Sequence, residues 1–363
     1  VDIGARVPVF SVTVLAIMLS HGDKRGKSWD RDPRLAAVQR LGPLAKGLSK
    51  LFGLGVAARL SAHASLAIPT IGADQAKVVS VGNLRVGGSG KTPVSLWLCE
   101  QLVAQGKRCG LCLRGYKGRL ENGATVLHSD LSARDIGDEA VLAMRRLESK
   151  GVVIAVGSHR ARAVREVERA GAQVIVVDDG FSHLRLQRDV DLVLVCPEDL
   201  DKHTALLPLG PLREPASALG RAHLVAGLTL DWAGRSDAPA VLFDVRPVGL
   251  VDTQWRLHDL EMLRGRKVFL SSGIARPERF EQTARIAGFD VVGHQVFADH
   301  FGPTPRSAAA LVERAARSKA EAIVWTEKDL ARLGPLGFPC FGLRIDMAPS
   351  QGTDLLYRVV FGA

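Results

Sequence analysis

The stretch Lys77–Gln101, KVVSVGNLRVGGSGKTPVSLWLCEQ, constrains this chain more than any other. β-Branched Val78, Val79 and Val81 lead into Gly87-Gly88-Ser89-Gly90, followed by Lys91-Thr92 and an apolar helical run. Strand, glycine loop and helix in that order form a P-loop. Its backbone N–H groups turn inward on phosphate oxygens, and the helix N-terminus adds the positive end of its dipole. Lys91 is expected to reach the β- and γ-phosphates, and the Thr92 hydroxyl to ligate Mg²⁺. The full motif wants glycine five places before Gly90, where Arg85 stands. Arg85 and Val86 are counted with the cofactor-binding loop, and Arg85 is expected to face solvent rather than add a phosphate contact. The bland alternative is a glycine-rich turn with a chance Gly-Lys-Thr. The strand before it and the helix after it argue against that reading.

At 363 residues, the chain suits about two domains and can bury a large core. The expected division is a basic, amphipathic segment over 1–60, a nucleotide-binding domain over 61–240, a linker over 241–265 and a C-terminal α/β domain over 266–363. The net charge of +10 is uneven. Between His21 and Leu60, nine Lys and Arg stand against Asp23, Asp30 and Asp32, so six of the ten net charges fall in this segment. Such a segment suits an anionic surface. Its only aromatics are Trp29 and Phe52, which disfavours a base-stacking platform. Lipid is therefore expected as the partner and nucleic acid is not. From Leu41 to Leu60 the positions Leu41, Leu44, Leu48, Leu51, Phe52, Val56 and Leu60 recur at helical spacing, with Lys46 and Lys50 on the opposite face. A basic amphipathic helix reads as membrane-surface, and a core helix on the nucleotide domain is the alternative. Arg59 lands on the apolar face, where it would have to snorkel. Val7–Ser20 is apolar but short for a membrane span.

The five cysteines form no disulfide framework. Cys109 and Cys112 have redox or metal spacing but sit in a predicted strand. Residues three apart on a strand face opposite ways, so the pair reads as core. Further predicted strands are 152–156, 174–177 and 190–195, each with polar or glycine residues at its carboxyl end. Asp178-Asp179 after an apolar strand is the arrangement that holds Mg²⁺ beside a P-loop. Alternating strands and helices predict an α/β fold, a P-loop NTPase parallel sheet with helices on both faces plus a smaller second α/β domain.

A P-loop alone does not choose a chemistry. Guanine-specific proteins read the base with Asn-Lys-x-Asp, and Thr326-Glu-Lys-Asp329 has its lysine displaced by one place. Partitioning ATPases carry lysine before the paired glycines, where Val86 stands. Taken together, SVGNLRVGGSGKTP (80–93), RGYKG (114–118), GDEA (137–140), DDGFSH (178–183), LLPLGPLREP (206–215), FADH (297–300) and TEKD (326–329) closely resemble the tetraacyldisaccharide 4'-kinases of lipid A biosynthesis. The resemblance runs from about Ser80 to Asp329. It implies transfer of the ATP γ-phosphate to the 4'-hydroxyl of an acylated glucosamine disaccharide 1-phosphate. The expected location is the cytoplasmic face of the bacterial inner membrane, peripheral or monotopic. By the same resemblance Asp138 is the base, aided by His300, with Glu139 beside it, while Asp178 and Asp179 serve Mg²⁺. Arg213 would stabilise the transferring phosphate or grip the lipid's phosphate. Family members usually carry Thr at 85 and 89, Gln at 182 and Pro at 140, where this chain has Arg85, Ser89, Ser182 and Ala140. The competing reading is a membrane-associated P-loop ATPase that releases phosphate to drive a partner, and a non-hydrolysing nucleotide-binding scaffold is the third.

Overall fold

The computed structural model describes residues 42–65, 70–128, 131–201, 203–229, 239–297, 304–333 and 336–362. The Val7–Ser20 segment, Leu41 and His300 lie outside them.

The β-branched runs form the centre of the sheet. β1 (Lys77–Asn83) lies between β5 (Val174–Asp178) and β6 (Val190–Leu194), all parallel. β2 (Cys109–Leu113) and β4 (Val153–Val156) extend the sheet beyond β5, and a short β3 (Thr125–Val126) closes that edge antiparallel. Side chains alternate across these strands. Val79, Val81, Val174 and Val176 face α2 (Lys91–Ala104) and α3 (Asp138–Leu147). Val78, Ile175 and Val177 face α4 (Arg160–Arg169). Both faces of the sheet are thereby covered. Cys109 and Cys112 fall in opposite cores, and all five thiols are buried and free.

On the other side of β6, β7 (Leu224–Gly227) pairs with the first three residues of a long strand, β8 (Ala240–Asp252). The segment expected as strand or linker is thus strand for most of its length; the short β9 (Leu257–His258) folds back on its far end. β13 (Cys340–Gln351), which the sequence reading missed, runs antiparallel along β8 from Phe341↔Asp252 to Gln351↔Leu242. Only its start pairs with β12 (Ala322–Thr326), and β12 continues to β10 (Lys267–Ser272) and β11 (Asp290–Val296), again all parallel. α5 (Pro277–Ile286) and α6 (Pro305–Arg317) cover the two faces of this second group.

This register decides the architecture. β8 carries the chain upward past the carboxyl ends of the first group, and β13 returns downward beside it. The β10–β12 group therefore runs opposite to the parallel strands of the first group (β1, β2 and β4–β7), and the carboxyl ends of the two groups face each other. One continuous sheet holds both. Buried Arg146 of α3 braces the junction, bonding Glu100 of α2 at 3.2 Å and Asp346 of β13 at 3.1 Å. The end of the chain returns to the first group. Phe361 packs edge-on against Trp97, and the Lys77 ammonium donates to the carbonyls of Val359 and Val360. Residues 353–361, expected with the C-terminal unit, contribute to the nucleotide-side core instead.

Before β1 stands α1 (Pro43–Ser65), helical through Gly47, Gly53 and Gly55. These glycines weaken helix propensity, but tertiary packing supplies what they lose. Gly53 is a contact point, since a Cβ there would meet Leu206 Cδ1 at 3.0 Å. The leucine stripe divides in two. Ala45, Ser49 and Val56 are buried, whereas Leu44, Leu48, Leu51 and Leu54 remain exposed, between 44% and 67%. Among the described residues no helix is long and apolar enough to cross a membrane.

Candidate active site

The P-loop closes where β1 meets α2. Gly87 and Gly90 have φ of +104° and +91°, which side chains rarely tolerate. Buried Asn83 at the end of β1 spans the loop, its amide donating to Ser89 Oγ at 2.9 Å. Along α2 the Thr92 hydroxyl donates to Asp178 Oδ2 at 2.8 Å and the Ser95 hydroxyl to Oδ1 at 3.1 Å. Residues three apart share a helix face, so α2 aims both hydroxyls at the end of β5. The next residue, Asp179, adopts φ +58° and turns toward two cations. Arg213 grips it through two bonds, of 2.9 and 2.7 Å, and Lys91 Nζ lies 3.5 Å away. Arg213 also donates to Asn83 Oδ1.

The two adjacent carboxylates are driven apart electrostatically. Burial pushes Asp178 up to about 6, with the charge of Glu139 adding to the effect. Burial acts on Asp179 too, but Lys91 and Arg213 outweigh it and hold its carboxyl well below the usual range. His183 is pulled down to about 4 by burial and by Arg160, so it is neutral near pH 7. Its neighbour Arg160 is buried and donates to the Asp178 carbonyl at 3.3 Å. A buried carboxylate beside a hydroxyl, with its ionised form disfavoured, is chemistry a divalent cation would correct. Mg²⁺ takes one or two carboxylates and completes its shell with water and phosphate, so Thr92 and Asp178, with Asp179 nearby, fit it.

A stability prediction follows from the raised Asp178. The folded protein holds a proton there that the unfolded chain releases near pH 4, so stability falls as pH rises through about 6. Without nucleotide or metal, Asp178→Asn should melt roughly 5 °C higher than wild type at pH 8. The gap should close as pH drops from about 6 to about 4, which a pH series of thermal melts checks.

Asp138 opens α3 beside these groups. Gly137, at φ +81°, lets it approach the RGYKG loop, for a Cβ there would lie 2.6 Å from the Tyr116 carbonyl. Asp138 is buried and bridged by Arg332 at 2.8 Å and Lys328 at 3.7 Å, both from the opposite strand group. Lys328 also reaches Glu139 at 3.6 Å. The rest of the TEKD segment is structural. Glu327 pairs with Arg344 at 2.6 Å, and Asp329 accepts from the Thr326 hydroxyl and the Gly273 amide.

The model of the family described as tetraacyldisaccharide-1-P 4'-kinase matches residues 42–356. The chain belongs to this family. It is 37% identical to the tetraacyldisaccharide 4'-kinase of Anaeromyxobacter dehalogenans (strain 2CP-C) over 77% of this chain and 80% of that protein. It is 36% identical to the Geobacter sulfurreducens kinase over 88% and 94% respectively. The crystal structure of LpxK from Aquifex aeolicus in complex with ATP superposes with a TM-score of 0.69 at 25% identity, covering 86% of this chain and 98% of that one.

Of the residues expected at a kinase site, Lys91, Thr92, Asp178, Asp179 and Arg213 come together, with Glu139 close enough to act on Asp178. Asp138 lies on the same side of the cleft, in the grip of Arg332 and Lys328. Arg85 does not face solvent. It is buried and pairs with Asp199 at 2.8 Å. Val86 is partly exposed. Four contributors escaped the sequence reading: Asn83, Arg160, Lys328 and Arg332. Asn83 carried a signal as the polar residue that ends an apolar strand, Arg160 as one four places past another, and Lys328 as part of the TEKD stretch.

Proposed function

We propose that this chain transfers the γ-phosphate of ATP to the 4'-hydroxyl of a tetraacylated glucosamine disaccharide 1-phosphate. The observation that carries the reading is the meeting of Lys91, Thr92, Asp178, Asp179 and Arg213 at the carboxyl ends of the first strand group, with Asp138 and Glu139 held to the second group by Lys328. Phosphoryl transfer needs positioning and charge stabilisation more than covalent chemistry. Lys91 and Arg213, now shared by Asp179, would turn to the phosphate oxygens. Mg²⁺ held by Thr92 and Asp178 would neutralise charge on the β- and γ-oxygens. Asp138 would take the proton of the attacking hydroxyl, with His300 assisting. The test is radiolabelled ATP with and without the lipid acceptor. Label in the lipid supports the kinase, and inorganic phosphate alone supports the ATPase reading.

Acyl chains on the acceptor would bring the protein to a lipid surface, and α1 is the element suited to reach it. Leu44, Leu48, Leu51 and Leu54 are exposed, with Lys46 and Lys50 exposed nearby. Such a face binds an anionic bilayer through apolar insertion and charge. This supports a peripheral position on the cytoplasmic face of the inner membrane. Changing Leu44, Leu48 and Leu51 together to Ser should weaken sedimentation with anionic vesicles roughly tenfold or more. Undiminished vesicle binding would place the membrane contact elsewhere.

A further inference from the structure

Arg213 is followed by Glu214, a carboxylate with no solvent exposure at all. Two cations address it. Arg221 donates to Oε2, while Oε1 accepts no hydrogen bond among the described residues and faces Arg59 of α1 at 3.8 Å. Arg59, expected to snorkel away from an apolar face, is thus directed at a buried charge beside the active-site arginine.

The surrounding contacts make this carboxylate a junction. The backbone amides of Arg213 and Glu214 both donate to the Leu84 carbonyl, at 2.7 and 3.2 Å, which fastens the loop to the base of the P-loop. The Arg221 guanidinium lies 4.2 Å over the ring of Phe181, two residues beyond Asp179. α1 holds the start of the same loop, where the Ser49 hydroxyl donates to the Leu206 carbonyl at 2.9 Å. We infer that Glu214, held between Arg221 and Arg59, is a positioning residue through which α1 sets the Arg213 guanidinium against the phosphate site. The helix that exposes its leucines outward therefore has an inward task, and its seating on the 206–215 loop bears on turnover as well as on attachment.

The proposal rests on the reading that Arg213 acts on the transferring phosphate. A buried carboxylate deprived of one of two cations shifts or draws its remaining partner closer. Arg213, one peptide bond away, then loses the geometry that phosphoryl transfer requires.

The test uses the full chain with acceptor in detergent micelles, where membrane attachment cannot limit the rate. Arg59→Ala, at a half-exposed site, should lower kcat roughly fivefold while leaving the KM for ATP within about twofold. Arg59→Lys should recover part of the loss, and Glu214→Gln should lower kcat at least as far. The deciding comparison repeats Arg59→Ala in an Arg213→Ala background, where it should cost nothing further. Wild-type kcat in Arg59→Ala, or the same fractional loss in both backgrounds, overturns the proposal. Wild-type kcat in Arg213→Ala overturns the reading beneath it, and the proposal with it.

Discussion

Replacing Lys91 by Ala is expected to lower the rate of phosphoryl transfer by on the order of 10²–10³ and to leave the fold intact. The rate effect arises because negative charge spreads over the transferring phosphoryl oxygens, and a fixed ammonium in a cleft stabilises that charge more strongly than water can. The fold survives because of what remains. Lys91 lies 3.5 Å from Asp179, and Arg213 keeps both of its own bonds to that carboxylate, so no buried charge is stranded. Initial rates at saturating acceptor, set beside thermal melts of the same protein, check both halves. A folded Lys91→Ala protein that turns over near the wild-type rate would remove the P-loop assignment.

Asp138→Ala is expected to be as damaging to transfer and, unlike Lys91→Ala, damaging to stability. Loss of a general base costs roughly 10²–10⁴ in rate. Removing Asp138 also takes away the buried carboxylate that pairs with largely buried Arg332 at 2.8 Å. Breaking one side of a buried pair costs about 3–5 kcal/mol. Asp138→Asn should keep more of the stability while losing the activity, which separates the two effects. If His300 assists the base, Asp138→Ala and His300→Ala form one unit, and the double mutant should be only slightly slower than the worse single mutant. Losses that multiply in that cycle would mean the two residues act independently. ATP affinity is measured separately, so that nucleotide binding is not mistaken for chemistry.

What was legible in the sequence was local. β-Branched runs marked β1, β4, β5 and β6, and the apolar Cys109–Leu113 run marked β2. Placing Gly87–Thr92 after one strand and Asp178-Asp179 after another brings the two motifs together, because phosphate and metal sites gather at the carboxyl ends of parallel strands. The Cys109 and Cys112 reading also held, since strand pleating settles which way each side chain points. Long-range pairing was not legible. Arg85 looked like a loop residue and is a buried partner of Asp199, in a segment far along the chain. The helical period of α1 was visible, but periodicity alone does not say which stripe meets the protein. Leu44 and Leu48 were grouped with Val56, although the first two point out and the last points in. β13 was missed because Gly342, Asp346 and Pro349 interrupt its apolar pattern, and with it went the facing arrangement of the two strand groups. The cations that hold Asp138 come from across that arrangement; Lys328 stood in the TEKD stretch, but nothing local tied it to Asp138.

The central claim is that facing strand ends assemble a site that phosphorylates one sugar hydroxyl. Its most direct measurement is a phosphorus–proton correlation spectrum of the product formed from ATP and the tetraacyldisaccharide 1-phosphate. The spectrum should show a new phosphomonoester signal coupled to the proton on the 4'-carbon, weaker by on the order of 10²–10³ at equal reaction time when Lys91→Ala replaces the wild type. Inorganic phosphate as the sole new signal, or coupling to any other sugar position, would contradict it.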